Sequence, residues 1–207
     1  MHPTACEILV VYYSRHGSTA ELARHVARGV ESVPGATAIL RQVPPVSAGN
    51  EAPPQALPDQ GPPYATLEDL GRASGLLMGS PGRFGNMAAP MKYFLESTSG
   101  LWLSGALADK PAAVFTSTQT QHGGQESTLL SMLWPLLHQG MYLVGLPYTE
   151  AALSSTQHGG TPYGASHVSG ALGTTPSADE IRLAQLLGQR VARLAVQLSS
   201  GPPARRG

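Results

Sequence analysis

A single cysteine, Cys6, stands in a chain of 207 residues. One cysteine cannot form an intramolecular disulfide or a cysteine-rich zinc site, and it suits a reducing compartment. An excess of charge is missing as well. The 13 basic and 13 acidic side chains cancel, and no run of like charge exceeds a pair, so neither nucleic acid nor an acidic membrane meets a complementary field. Long apolar runs are also lacking. The first, Ile8 to Tyr13, is too short for a signal segment and has no basic flank. No later stretch reaches the roughly 18 to 20 apolar residues of a transmembrane helix. Together these absences predict a cytoplasmic protein that binds no nucleic acid and inserts into no membrane. Histidines such as His2, His25 and His167 stand without metal-ligand spacing, so no metal and no role is assigned to them.

Two nucleotide signatures are missing near the N-terminus, where the sequence reads ILVVYYSRHGSTAELARHV. Without Gly-x-x-x-x-Gly-Lys-Ser/Thr no lysine is placed for a β/γ-phosphate, which excludes nucleoside triphosphates. Without Gly-x-Gly-x-x-Gly the close backbone approach to a dinucleotide pyrophosphate is absent. What is present is a β-branched strand, the polar loop Ser14-Arg15-His16-Gly17-Ser18-Thr19, and a helix start read as a capping box, Ser18-x-x-Glu21. Free N–H groups and the positive helix end then converge on one spot, which suits a single terminal phosphate. An ordinary capped turn gives the same local pattern. A tyrosine phosphatase would need its cysteine inside this loop, and Cys6 precedes the strand.

Apolar strand-like runs alternate with periodic helical runs, the pattern of an open parallel α/β sheet. Five strands are predicted at 7–14, 36–43, 75–80, 112–118 and 141–147. Helices are predicted at 18–33, 66–74, 88–99, 126–139 and 178–198, the last led by a capping box, Ser177-x-x-Glu180. The 24 glycines and 18 prolines, about a fifth of the chain, stay below the fraction that signals disorder. Seven of the prolines fall in residues 44–63, read as a long irregular excursion. Residues 148–176 form a second long loop, read as an ordered lid or subunit contact. One domain, 1–200, is expected, with a disordered tail at 201–207. The tetrapeptide QHGG occurs at 121–124 and again at 157–160. Its flanks differ, so no structural repeat is read from it.

Ligands of such sheets bind beyond the carboxyl ends of the strands. The loop after the third strand carries Pro81, Gly82, Arg83, Phe84, Gly85 and Asn86. The loop after the fourth carries Ser117, Thr118, Gln119, Thr120, Gln121, His122 and Gly123. Hydroxyls, amides and one aromatic, with no carboxylate pair and no nucleophile with its base, suit a cofactor that brings its own reactivity.

The combination YYS-x-x-G, SPGRFGNMAAPMKYFLESTSGLWLSGAL, STQTQHGGQES, LHQGMYLVGLPY and GGTPYGASHVSG strongly resembles the WrbA family over essentially the whole chain. These are flavodoxin-like, FMN-dependent NAD(P)H:quinone oxidoreductases. The resemblance implies a doubly wound five-stranded parallel sheet, order 2-1-3-4-5, with helices on both faces. It also implies a cytoplasmic homotetramer, a dimer of dimers, that binds FMN tightly but not covalently. Ser14 to Thr19 would cradle the FMN phosphate, Pro81 to Asn86 would run beside the isoalloxazine, and Ser117 to Gly123 would cover the ring's other edge and the ribityl chain. His138 would approach the flavin across a subunit boundary. His16 and Trp102 would flank the space shared by nicotinamide and quinone.

No side chain is assigned a catalytic role, because the flavin carries the chemistry: hydride from NADH or NADPH passes through N5, and two electrons pass to a quinone. The chain departs from the family pattern in two places. It reads TQTQHGG where TGTGGG is more usual, and it carries Arg15-His16 where less charged pairs are usual. Two other classes compete. A flavodoxin-type electron carrier would be expected to carry an acidic excess for steering, which the balanced charge contradicts. An FMN-binding regulatory or interaction protein would keep its flavin oxidised in the presence of NAD(P)H. Trp134, on a periodic helix, is read as core.

Overall fold

A computed structural model describes residues 5–47 and 58–200. The middle of the 44–63 excursion and the tail at 201–207 lie outside the described residues. The chain runs β1 (Cys6–Tyr12), α1 (Ser18–Glu31), β2 (Ala36–Gln42), α2 (Leu67–Arg72), β3 (Gly75–Arg83), β4 (Asn86–Met87), α3 (Ala89–Glu96), α4 (Ser99–Leu103) and β5 (Pro111–Thr118). It continues through α5 (Gln125–His138), β6 (Tyr142–Leu143), α6 (Ala152–Ser155), β7 (Ala165–Val168), α7 (Ser169–Leu172) and α8 (Ala178–Ser199).

The strands are β-branched and leucine-rich because both faces of the sheet are covered. Ile8, Val10, Tyr12, Leu77 and Phe115 pack under α1 and α8. Leu9, Val11, Leu76, Met78 and Val114 pack under the opposite helices with Met91, Leu129, Met132 and Leu136. Two glycines let α1 and α8 touch backbone to backbone: a Cβ on Gly29 would lie 2.0 Å from the Gln185 carbonyl oxygen, and one on Gly188 would lie 2.1 Å from that of Val26. The sheet order β2-β1-β3-β5-β6 is the expected 2-1-3-4-5 order, and every one of these pairs is parallel.

The fifth position, however, is filled by two short strands in place of one. β6 pairs with Pro111 and Ala112 of β5, and β7 pairs with Phe115 to Thr118. The strand predicted at 141–147 therefore pairs only at its start, and the segment 148–176, read as one long loop, contains α6, β7 and α7 and with β7 the other half of the strand. The chain leaves the sheet after Val144, whose N–H donates to Ala112, and Leu146 N–H then donates to Pro162 at 2.9 Å. It returns at Gly164, where a Cβ would lie 2.1 Å from the Val114 carbonyl. The close approach requires the glycine of GGTPYGA.

Two helix starts differ from expectation. Ser18-x-x-Glu21 is not a capping box: Gly17, at φ 96°, is the N-cap, with no side-chain cap bond. Glu21 instead pairs with Arg24 and lies 3.5 Å from His25. The box at Ser177 and Glu180 forms, and so does one at Thr66 and Asp69 that sequence reading passed over. Cys6 is the first residue of β1 and is buried.

Candidate functional site

Three strand-end loops meet at the carboxyl edge of β1, β3 and β5. Beyond β1, Tyr13 N–H donates to Gly79 at 3.0 Å, which ties the first loop to β3. Ser14 Oγ then accepts from Gly17 N–H at 3.2 Å and Ala20 N–H at 3.3 Å. The side chain that steadies the helix start thus comes from four residues before Ser18. The N–H groups of Ser18 and Thr19, in the first turn, have no intrahelical acceptor. Thr19 is buried, and its hydroxyl lies 2.7 Å from that of Ser117, which locks the first loop to the third.

The second loop is a hairpin. Arg83 pairs with Asn86 across Phe84 and Gly85, whose φ values of 51° and 75° are both positive, as a two-residue type I′ turn requires. Phenylalanine is a costly choice there. Its side chain is nonetheless fully exposed, so burial does not explain it. The hairpin tip rests on the start of α5: a Cβ on Gly124 would lie 2.9 Å from Gly85 Cα. At the hairpin's base Ser80 Oγ accepts from Ala88 N–H at 2.9 Å, and Thr116 Oγ1 donates to the Ser80 carbonyl at 2.7 Å. In the third loop, Thr118 Oγ1 and Gly123 N–H both donate to the Thr120 carbonyl.

These loops enclose a cleft of about 120 Å³ lined by Ser14, Arg15, His16, Ser18, Thr19, Pro81, Arg83, Ser117, Thr118, Gln119 and Ser169. Among the described residues neither Arg15 nor Arg83 has a carboxylate partner. Two guanidinium groups without a carboxylate, the six hydroxyl side chains of Ser14, Ser18, Thr19, Ser117, Thr118 and Ser169, and a helix N-terminus around a small space fit a phosphate monoester in charge and size. Ser169 was missed by sequence reading. It opens α7, directly after β7, its hydroxyl donates to the Thr118 carbonyl at 3.0 Å, and no local signal marks it.

Not every expected residue reaches this cleft. Gln121 and His122 line a second, larger cleft of about 510 Å³ on the other side of the third loop, with His158, Gly160 and Thr161. Both QHGG copies therefore border one space. Trp102 and His138 stack on each other, 5.6 Å between ring centroids, at the far end of α5. That helix of 14 residues spans roughly 20 Å. Within one chain they do not join the phosphate cleft. Beside them Trp134 is 66% exposed, so it is not core: it faces outward between α3, α4 and α5, where the three residues border a groove of about 460 Å³.

A buried ion pair anchors the segment that carries His158 and Ser169. His167 and Glu180 are both inaccessible to solvent, with Nδ1 and Oε2 3.0 Å apart. His167 Nε2 lies 3.0 Å from the Gly173 carbonyl. Both ring nitrogens thus face acceptors, so both donate and the imidazole is a cation. Glu180 also accepts from the N–H groups of Gly159, Val168 and Ser177. Burial pushes its carboxyl up, but the bonds from His167, Ser177 and Val168 outweigh that and hold it down to about 2. Burial pulls His167 down, and its bonds to Glu180 and Gly173 raise it above its ordinary value.

Among the described residues no group of three or more metal-ligating side chains comes together, and no helix is long and apolar enough to cross a membrane. Residues 7–152 match the family model described as NADPH-dependent FMN reductase. A protein named NAD(P)H dehydrogenase (quinone) from Syntrophobacter fumaroxidans is 47% identical over 201 residues, covering 93% of this chain and 98% of its own. A protein of the same name from Geobacter sulfurreducens is 43% identical over 205 residues, with the same coverage. Among solved structures, a WrbA-like flavodoxin from Agrobacterium tumefaciens matches with a TM-score of 0.66 at 23% identity, over 93% of this chain and 99% of that one. A flavodoxin from the domain Archaea matches with a TM-score of 0.61 at 18% identity, over 92% and 99%. These two likenesses speak to the fold.

Proposed function

The chain belongs to the NADPH-dependent FMN reductase family, as a flavodoxin-like member of the WrbA kind, and on that premise we propose that it reduces quinones to hydroquinones with NADH or NADPH, using bound FMN. The observation that carries this reading is the cleft at the first loop. Its hydroxyls, its free helix N–H groups and its Arg15 and Arg83 match a phosphate monoester. Its 120 Å³ is below the several hundred of an enclosed cofactor pocket, so the ring of FMN would lie outside it, along the hairpin that bears Phe84.

FMN, when bound, supplies hydride acceptance from the nicotinamide at N5 and two-electron delivery to the quinone. The protein's own share is positional. Ser14, Ser18, Thr19 and Ser117 hold the phosphate. The hairpin Pro81 to Asn86 and the loop from Ser117 to Thr120 would hold the ring, whereas Gln121 and His122 line the larger cleft. His16, at the rim of the cleft, borders the nicotinamide side. No side chain acts as general acid or base.

The ring face needs a cover that one chain does not provide. Trp102, Trp134 and His138 form an exposed aromatic surface away from the cleft, and a second copy would carry His138 and Trp102 to the flavin of the first. A closed homotetramer, a dimer of dimers, in the cytoplasm is the assembly we favour. The test is steady-state turnover. FMN-loaded protein should consume NADH or NADPH and benzoquinone in equal amounts, and the apoprotein should not. Tight FMN binding without turnover would replace the enzyme reading with that of a carrier.

A further inference from the structure

Both copies of QHGG border one cleft of about 510 Å³, formed by Gln121, His122 and the start of α5 on one wall and His158 with Thr161 on the other. We propose that this cleft seats the adenosine diphosphate half of the nicotinamide dinucleotide, an inference that rests on the quinone-reductase reading. The space is of the size that small ligands occupy, and its chemistry is mixed in a way that a simple anion or a bare base does not match.

On the donor side, α5 begins at a left-handed Gly124 with no side-chain cap, so its first-turn N–H groups are free for a pyrophosphate. His122 and His158 face the same space from separate loops. On the acceptor side, Gln125 is only 7% exposed. Its Nε2 donates to the Gln121 carbonyl at 3.1 Å, while its Oε1 has no partner. A buried amide oxygen without a donor is costly in a folded protein, and a ligand N–H or O–H would relieve it. Glu126, in the same first turn, adds a carboxylate that suits ribose hydroxyls. A ligand with a pyrophosphate, sugar hydroxyls and an exocyclic amine uses all of these groups.

Position supports the same occupant. The loop after β5 is a common wall: Ser117, Thr118 and Gln119 line the phosphate cleft, and Gln121 and His122 line this one. A dinucleotide whose nicotinamide sits over the flavin would cross that wall into the larger cleft. The far wall is held by its own hydrogen bonds. Thr156 Oγ1 donates to the Gly159 carbonyl at 2.6 Å and accepts from His158 N–H at 3.3 Å, and Gly159 N–H donates to the buried Glu180 at 2.8 Å.

The experiment uses FMN-loaded protein and two probes: ADP, titrated calorimetrically, and reduced nicotinamide mononucleotide, which lacks the adenosine half, compared kinetically with NADH. ADP should bind once per chain and compete with NADH. His158→Ala should weaken ADP about tenfold, one hydrogen bond's worth of affinity. It should also raise the KM for NADH several times more than that for the mononucleotide. Gln125→Leu should do the same, with its melting temperature checked, since the site is buried. No ADP binding, or equal shifts for both donors, overturns the subsite while leaving the quinone-reductase reading intact. ADP binding lost in His158→Ala, without flavin reduction by either donor, would keep the subsite and remove the redox reading.

Discussion

Ser18 and Thr19 combine free backbone N–H groups with hydroxyls, and hydrogen bonds to a charged phosphate contribute about 1.5 to 3 kcal/mol each. The double variant Ser18→Ala, Thr19→Ala should therefore bind FMN about 100-fold more weakly by fluorescence titration while keeping a native circular dichroism spectrum. Unchanged affinity would remove the phosphate assignment. Phe84 holds a left-handed φ of 51° with its ring in solvent, a conformation that glycine adopts without strain. Phe84→Gly should leave the melting temperature equal or higher and slow quinone turnover, because the ring's value lies in what it covers. The first loop was readable because its hydroxyls and glycine are contiguous. Ser169 was not, because it reaches the cleft from α7, beyond the parallel strand β7 and 51 residues after Thr118. Trp134 was misjudged for a related reason: helical periodicity marks an apolar face without saying whether this chain or another covers it.

Glu180 shows how one side chain organises several elements. The capping box at α8 was legible from Ser177 and Glu180, but the use of the same carboxylate to hold His167 and the loop at Gly159 was not, since nothing in sequence spacing joins them. Removing one partner of a buried ion pair leaves the other unpaired, so His167→Ala should cost about 3 kcal/mol in urea unfolding. His167 is raised from its ordinary 6.5, so its contribution is complete below that value and declines as pH rises through the higher folded pKa. Glu180 is lowered from 4.5 to about 2, so its contribution is complete above 4.5 and is lost as pH falls toward 2. The stability gap between wild type and variant should be widest between these limits, near pH 5 to 6, and narrow on both sides. Gly188→Ala, whose methyl would collide with the Val26 carbonyl, should cost about 3 kcal/mol. The split fifth strand escaped sequence reading because each half is too short to show a period: β6 has two residues and β7 four.

At the scale of the whole molecule, the open parallel α/β sheet and the three convergent loops followed from alternating apolar runs and glycine-rich strand ends, whereas the strand order and the helices on both faces were what the family resemblance implied. What sequence could not supply was the far surface. Leu103, Trp134 and Leu137 are each more than half exposed, large apolar side chains that an assembly would cover. Light scattering should report an assembly larger than a monomer. Trp134→Glu should dissociate it and depress quinone turnover, with FMN phosphate contacts intact. A monomeric wild type with full turnover would show that one chain suffices.

The most direct measurement is anaerobic. FMN-loaded protein is mixed with NADH or NADPH and its visible absorbance is followed, after which benzoquinone is added. Loss of the oxidised flavin bands on adding the nicotinamide, and their return with benzoquinone, is the predicted result. A flavin that stays oxidised under saturating NADH and NADPH would contradict the quinone-reductase function.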